Sequence, residues 1–410
     1  MFRLPFLFIM TGMAGFIVFH AASLLSLSTW FAGGLRGPSG WFHIHLFVLG
    51  WATMLAMGAV YQLISVILQS KIYSERLGYV HYVLFTSGLS GLLFGFWSGK
   101  PPLIAGFAIL TLAGILLFAL NMAVTMFRAS QWNAITISAA CSVLYLLLTG
   151  LSGLVMGVNF FLGQWAELHA RLFGAHIWLG SIGWFGLLIT GFSYKMLPMF
   201  YLAHHFPIRL QSVTLLLWNA GVLTGASSFL FDGGFWSKWF ALLLITAAVI
   251  VYTIHIGQIQ KFRHKANPGL GIKWSVYGTQ AFAVFSVFML LYSLCFPQKL
   301  LDAKSVLLAG WIYLGGWVSF TILCYVSKIV PFLWWTHQYG NQVGKTGTPT
   351  MADLLDEKKV QAGLAAIALS FIILFAGLVL DQQLIMMIGG IVFSLLSLAY
   401  ISMVGLVFTR

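Results

Sequence analysis

The stretch F-H-I-H-L-F-V-L-G-W, from Phe42 to Trp51, decides the fold because its pattern returns 133 residues later. The matched pairs are His43 and His176, Gly50 and Gly183, Trp51 and Trp184, Gly58 and Gly191, and Tyr61 and Tyr194. A third copy keeps Gly316 and Trp317 but has Ala309 in place of the histidine. Three repeats, approximately 1–133, 134–266 and 267–410, nearly fill the 410-residue chain. The pattern therefore predicts a single domain over residues 1–410, built from three equivalent parts.

The composition indicates the class of protein. The chain is 60% hydrophobic and only 7% charged, whereas a soluble domain carries about 25% charged residues. Apolar runs of about 20 residues, long enough to cross a bilayer, occur twelve times. Their approximate bounds are 4–30, 42–69, 78–98, 102–126, 134–161, 169–200, 210–230, 236–257, 274–295, 305–335, 360–380 and 384–408. We therefore predict an all-α integral membrane protein with twelve transmembrane helices, four in each repeat, in a pseudo-threefold arrangement.

The positive charges predict the orientation in the membrane. Fifteen of the 21 Lys and Arg residues fall on the same side as the N-terminus, and cytoplasmic loops carry such an excess. Both termini are therefore predicted to be cytoplasmic, in a multi-pass protein of a bacterial cytoplasmic membrane. The net charge of +13 follows from this topology and implies lipid, not nucleic acid, as the partner. The long first apolar run, without a clear cleavage site, is predicted to be helix 1 and not a signal peptide.

Five of the eleven histidines fall in the predicted outer half of the membrane. They are His20 in helix 1, His43 and His45 in helix 2, and His169 and His176 in helix 6. Ionisable side chains at membrane depth are costly and usually functional, so these five are the candidate binding residues. The other six are predicted to lie near the cytoplasmic face, in contact with water and headgroups: His81, His204, His205, His255, His264 and His337.

Helical geometry places a glycine beneath two of these histidines. At about 100° per residue, His43 shares one stripe of helix 2 with Gly50, and His176 shares the matching stripe of helix 6 with Gly183. The two glycines are candidate cofactor-binding residues, because they would leave a slot for a flat group. The alternative is close packing of helices through small residues. His45 lies about 200° from His43, so these two histidines address different inter-helix spaces.

The chemistry of imidazole narrows the choice of cofactor. Neutral imidazole binds iron, copper or zinc, and two axial imidazoles suit a low-spin haem. We therefore predict haem b, one or two per chain, with His43, His45 and His176 as metal ligands and copper as a further metal that they could bind. Zinc hydrolysis is disfavoured because Glu167 is the only carboxylate near the cluster. All eight acidic residues lie at span ends or in loops, which disfavours proton- or sodium-coupled transport.

In these features the chain resembles subunit I of the haem-copper oxidases and nitric oxide reductases, and the NnrS-type haem membrane proteins of the same wider group. Two segments carry the resemblance, Phe42 to Trp51 and G-F-S-Y-K-M-L-P-M-F from Gly191 to Phe200, together with twelve helices and cytoplasmic termini. The resemblance implies that His43 or His45 is a ligand of the low-spin haem. It also implies that His176 corresponds to the helix 6 histidine that binds copper in the oxidases.

The chain departs from this family at helices 7 and 10. Helix 10 has Ala309 and Gly310 where the oxidases have two histidines, and helix 7, Leu210 to Leu230, has no histidine. The standard binuclear haem–copper centre therefore cannot be assembled from these residues, which argues against oxygen reduction of the usual kind.

We therefore predict a haem held between helices 2 and 6, ligated by His176 and by either His43 or His45. The other helix 2 histidine, with His20, would serve a second haem or a metal. The predicted function is electron transfer, or chemistry of a small gas such as nitric oxide or oxygen, with a quinol or a cytochrome as electron donor. An enzyme of this kind would be an oxidoreductase. Two alternatives stay open: a carrier or assembly factor for haem or copper, and a scaffold subunit without a cofactor.

Overall fold

The structure, a computed structural model, describes the backbone of residues 3–33, 36–129, 131–343, 345 and 347–410, and the side chains of these residues other than 27–33. Within that part of the chain all repetitive secondary structure is helical. Twelve of the helices there are long and apolar enough to cross a membrane, which confirms the all-α class and the predicted number of membrane helices. In chain order they are α1 (Arg3–Gly33), α2 (Pro38–Leu68), α3 (Glu75–Trp97), α4 (Pro101–Ala129), α5 (Ala134–Leu162), α6 (Ala166–Tyr201), α7 (Arg209–Leu230), α8 (Phe235–Lys261), α9 (Leu270–Cys295), α10 (Ala303–Gln342), α11 (Glu357–Leu380) and α12 (Gln383–Thr409).

The outside of these helices is apolar. Leu216 on α7, Val284 on α9 and Leu384 on α12 are each at least 70% exposed. Side chains of this kind are unfavourable in water and suit the hydrocarbon of a bilayer. The chain is therefore a multi-pass membrane protein whose helices contact lipid. The side of the membrane on which the termini lie, and the pseudo-threefold arrangement, stay predictions.

Local sequence sets where the helices begin and end. Ser74 precedes α3 and accepts a hydrogen bond from the backbone N–H of Leu77 at 3.1 Å, which satisfies one of the donors left open at a helix start. Asn133 does the same at the start of α5. Gly163 ends α5 with a φ of +68°, a conformation that glycine adopts without steric cost.

Two helices extend further than their apolar runs. The runs predicted to end near residues 257 and 335 belong to α8 and α10, which continue to Lys261 and Gln342. The extra turns are polar, so hydrophobicity alone does not reveal them.

The three helices that carry the sequence motif share an unusual backbone. Within α2, α6 and α10, π-helical segments cover Leu46–Thr53, Leu179–Gly186 and Trp311–Ser319. Each segment contains the Gly–Trp pair of its copy of the motif. These are the only π-helical segments among the described residues. A π-helical turn is rare and is frequently found at functional sites. The backbone, as well as the sequence motif, therefore distinguishes these three helices from the others.

The chain divides into two compact units. The first unit contains residues 1–60, 267–279 and 303–410, and the second contains residues 61–266 and 280–302. Helices α2 and α9 therefore contribute residues to both. This division differs from the three repeats proposed from the sequence, which stay a prediction.

The tryptophan of each motif copy is buried. In the first unit, the indole N–H of Trp51 donates to the Ser319 hydroxyl at 3.0 Å, and that of Trp317 donates to the Thr279 hydroxyl at 3.1 Å. In the second unit, Trp184 packs inside the protein. A buried indole adds a large apolar surface to the core but needs a partner for its N–H, and in the first unit helix hydroxyls supply that partner.

Candidate functional site

His43 and His45 lie on one continuous helix. Helix α2 begins at Pro38, a residue suited to the first turn because it has no backbone N–H to leave unpaired. Both histidines follow within two turns, so they point to different sides, as their spacing predicts. His43 is buried and His45 is half-buried.

Hydrogen bonds to backbone carbonyls decide where these imidazoles carry their protons. Nδ1 of His43 lies 2.7 Å from the Ser39 carbonyl oxygen, and Nδ1 of His45 lies 2.8 Å from that of Trp41. A carbonyl oxygen only accepts, so Nδ1 carries the proton in both rings. The basic lone pair is then on Nε2, the nitrogen that faces away from the helix backbone. Metal-ligating histidines commonly use this arrangement, in which the second nitrogen donates to a carbonyl.

Ser26 on α1 gives His43 an exchangeable partner. Its hydroxyl oxygen lies 2.9 Å from Nε2 of His43 and 2.7 Å from the Ala22 carbonyl oxygen. A hydroxyl has one proton, and both neighbours are acceptors when His43 is protonated on Nδ1. Ser26 can therefore satisfy only one of them at a time. A metal ion on Nε2 would leave the hydroxyl its bond to Ala22.

His176 on α6 has the same proton arrangement in the second unit. Its Nδ1 lies 3.0 Å from the Thr149 carbonyl oxygen and 3.1 Å from the Ser152 hydroxyl, both on α5. Ser152 donates its own proton to the Thr149 carbonyl at 2.9 Å, so Nδ1 of His176 is again the donor. The lone pair is on Nε2, as in His43 and His45.

Gly153 of α5 makes room for the His176 ring. A Cβ at this position would lie 3.0 Å from Cε1 of His176, closer than ordinary side-chain contacts. Gly153 was not singled out from the sequence, because nothing local indicates which glycine faces a histidine of another helix.

His20 is the most unusual of the candidate ligands. It is completely buried in α1, and neither ring nitrogen has a hydrogen-bond partner among the residues whose side chains the structure describes. Its ring centroid lies 4.3 Å from that of Phe16, 5.1 Å from that of Phe19 and 5.4 Å from that of Phe393 on α12. An unpaired polar group is costly in an apolar surrounding, and such an exception in a folded protein calls for a ligand or another explanation.

Phe19 contacts two of the candidate histidines of the first unit. Its ring centroid is 5.1 Å from that of His20 and 6.5 Å from that of His43. The first unit therefore brings these two predicted residues into contact with one phenylalanine ring.

His169 differs from the other candidates. The Asn159 side chain accepts a hydrogen bond from the Trp165 backbone N–H at 2.8 Å through Oδ1, which directs its Nδ2 towards Nδ1 of His169 at 3.3 Å. Nδ1 is therefore the acceptor and the proton is on Nε2. His169 is also partly exposed, near the start of α6. Its role as a ligand stays a prediction, with less support from hydrogen bonding than that of His176.

Close packing fills the space beside the two candidate glycines. A Cβ on Gly15 of α1 would lie only 2.1 Å from the Gly50 carbonyl oxygen, so the two backbones touch. A Cβ on Gly183 would lie 2.8 Å from Cβ of Tyr145 on α5. These contacts favour helix packing at Gly50 and Gly183, and the role of the two glycines in binding a cofactor stays a prediction.

Two of the six histidines predicted to contact water and headgroups near the cytoplasmic face do not do so. His81 and His255 are completely buried. His81 lies with Nδ1 3.0 Å from the Tyr61 hydroxyl, and His255 lies with Nε2 3.2 Å from the Gln211 amide nitrogen. Their partners come from neighbouring helices, so their burial is a product of helix packing and not of position along the chain.

The demand that each cofactor makes on the protein differs. In the part of the chain that the structure describes, no three His, Cys, Asp or Glu side chains come together to hold a metal ion. Axial ligation of haem iron needs only one or two imidazoles. The predicted haem between helices 2 and 6 stays a prediction.

No protein-family model matches the sequence, and no curated protein is significantly similar to it. The case for a function therefore rests on the geometry of the histidines themselves.

Proposed function

We propose that this chain is a membrane-embedded b-type haem protein, with axial ligands drawn from the histidines of α1, α2 and α6. One observation supports this more than any other. His43, His45 and His176, the three predicted metal ligands, all donate Nδ1–H to a backbone carbonyl. That contact fixes the ring orientation and raises the basicity of Nε2, as it does in proteins that bind metals through histidine.

The surroundings of His20 add support from the first unit. The His20 imidazole has no hydrogen-bond partner among the described residues and contacts three phenylalanine rings. These surroundings suit a large apolar cofactor whose metal ion one ring nitrogen could bind. We propose His20 and His43 as the ligands that the first unit offers, with His45 as the further helix 2 ligand and His176 as the ligand of the second unit. When bound, haem iron supplies one-electron chemistry and a site for a small gas. The protein residues orient the imidazoles and exclude water.

The proposed activity is electron transfer, or chemistry of nitric oxide or oxygen, with a quinol or a cytochrome as electron donor. The twelve membrane helices support this proposal, because haem-copper oxidase subunit I, which the sequence resembles, has the same number. Helix 7 has no histidine, and helix 10 has Ala309 where the oxidases have one. Without these ligands a binuclear centre cannot form, so the proposed activity does not include reduction of oxygen to water.

Haem content of the purified, full-length protein tests the proposal. We expect a pyridine haemochrome spectrum of b-type haem and a Soret band that His176→Ala and His43→Ala each reduce strongly. His204→Ala is the matched control, because His204 is exposed in the connection after α6, and it should leave the spectrum unchanged. A protein expressed in haem-replete cells that contains neither haem nor copper would overturn the proposal.

A second candidate function is a carrier or assembly factor that holds haem or copper transiently. The Ser26 hydroxyl favours it, because this group can occupy Nε2 of His43 when no metal is bound and so eases release. If the chain is a carrier, iron or copper should be substoichiometric and should pass to apomyoglobin or a copper chelator on dilution.

Ser26→Ala distinguishes the two functions further. Removing the competing hydroxyl should tighten haem binding about fivefold, which corresponds to ~1 kcal/mol for one hydrogen bond. It should also slow transfer from a carrier. Ser23→Ala, one turn earlier on α1, is the matched control. Weaker binding by Ser26→Ala would show instead that the hydroxyl positions the ring.

A further inference from the structure

A buried polar cluster lies between α6, α7 and α8 in the second unit. It consists of Tyr194 on α6, Gln211 on α7, and His255 and Gln258 on α8. Tyr194 and His255 are buried, and their rings meet edge to face with centroids 5.2 Å apart. None of these residues belongs to the proposed haem ligands.

One hydrogen bond in the cluster sets the proton of His255. The Gln211 amide nitrogen donates to Nε2 of His255 at 3.2 Å, so Nδ1 carries the proton. Three buried atoms then have no hydrogen-bond partner in the described part of the chain: Nδ1 of His255, the Tyr194 hydroxyl and Oε1 of Gln258. One is a donor, one is an acceptor, and the hydroxyl is both.

The nearest polar neighbours leave gaps instead of direct bonds. Gln258 is close enough to His255, and Thr214 to Tyr194, for an electrostatic interaction, but none of the three unpartnered atoms makes a hydrogen bond of good geometry with a described residue. Thr214 already donates its proton to the Leu210 carbonyl at 2.9 Å, so it can only accept from Tyr194. Buried polar groups that the protein leaves without a partner are commonly bridged by water.

We propose that the cluster is a binding site for internal water. A water molecule has two protons and two lone pairs, which match the unpartnered set. It would accept from Nδ1–H of His255 and donate to Oε1 of Gln258 and to the Tyr194 hydroxyl. Buried waters in proteins typically make about three such bonds. An ion is a poorer match, because the set contains a donor and an acceptor side by side and no formal charge.

Phe206 covers His255 on the side of the connection between α6 and α7. It lies in the connection between α6 and α7, is partly exposed, and its ring centroid is 5.8 Å from that of His255. The Phe206 ring therefore separates the cluster from the outside at the end of the second unit where α6 and α8 terminate.

Thermal unfolding of the full-length protein in detergent tests the proposal by the sign of the change. If water is bound, Tyr194→Phe and Gln258→Met each remove one of its partners, and the unfolding temperature should fall by several degrees. If the cluster is dry, the same changes remove an unpaired polar atom, and the unfolding temperature should stay the same or rise. The second result would overturn the proposal.

Tyr277→Phe is the matched control, because Tyr277 is 56% exposed on α9 and its hydroxyl loss should change nothing. An experimental density map that resolves waters gives a readout independent of any variant. It should contain a peak within hydrogen-bond distance of Nδ1 of His255. Side chains in the positions described here with no density between them would refute the site.

Discussion

Nδ1 of His176 lies 3.0 Å from the carbonyl oxygen of Thr149, and this contact decides which nitrogen of the imidazole can bind a metal. The carbonyl belongs to α5 and the imidazole to α6, so two helices hold the ring at a fixed angle. The Ser152 hydroxyl donates to the same carbonyl. A histidine inside the membrane needs an acceptor for its N–H in any case, and an axial ligand benefits further because the contact orients the ring.

Crowding the His176 ring should reduce haem binding without unfolding the protein. In Gly153→Val the added side chain would start 3.0 Å from Cε1 of His176 and push the ring away from its carbonyl partner. We expect haem affinity to fall about tenfold or more, the usual cost of disturbing contacts that orient a ligand. Haem titration followed at the Soret band measures the effect.

The same substitution at Gly106 is the control for Gly153→Val. Gly106 lies on α4 with nothing within 4 Å of the position of a Cβ. If both variants lose haem equally, the loss is a general effect of valine in a membrane helix and not of His176.

Replacing His20 should change the haem-free and haem-bound proteins in opposite directions. In His20→Leu the haem-free protein loses an unpaired buried imidazole, so its free energy of unfolding should increase by about 1–3 kcal/mol. The haem-bound form should lose part of its Soret absorbance, because a ligand is missing. Thermal unfolding of both forms makes the comparison. A less stable haem-free variant would show that the imidazole has a structural partner.

Gly15 tests whether the space beside Gly50 is packing or a cofactor slot. Gly15→Ala would place a Cβ 2.1 Å from the Gly50 carbonyl oxygen and force α1 and α2 apart, at a cost of about 1–3 kcal/mol of stability. We expect a lower unfolding temperature in the haem-free protein. Gly257→Ala, at a position with open space, should have little effect. Unchanged stability with lost haem would favour the slot.

Asp353 should protect the connection between α10 and α11 from proteolysis, and this protection should depend on pH. The Thr350 hydroxyl and backbone N–H both donate to its carboxylate at 2.7 Å, and these bonds lower the pKa of Asp353 below its usual value. Because the folded-state pKa is lowered, the contact contributes fully at neutral pH and is lost as the pH falls through that lowered value.

Limited proteolysis near the short helix Met351–Leu354 measures this protection. We expect cleavage to be slow and constant from pH 8 to about pH 4, near the pKa of a free carboxyl, and to become faster below it. Asp353→Ala should be cleaved faster at neutral pH, and the difference should disappear at a pH low enough to protonate Asp353 in the folded protein. Equal rates for both proteins at pH 7 would mean that the carboxylate does not order this helix.

The sequence predicts the number and class of helices well, since the length of an apolar run is a local property. The spacing of His43 and His45 likewise predicts their separation around α2, because helical geometry alone determines it. Hydropathy predicts ends for α8 and α10 that are too early, because the final turns of both helices are polar.

What only the tertiary structure decided is which atoms meet across helices. The proton positions of His43 and His45 depend on carbonyls within α2, but that of His176 depends on the Thr149 carbonyl of another helix. The contact of Gly50 with Gly15 likewise joins two helices, α2 and α1. The burial of His255 depends in the same way on α6 and α7. Composition and periodicity establish that a helix crosses the membrane and which residues share its face. The partner of each face is set by packing between helices distant in sequence, and no local pattern encodes it.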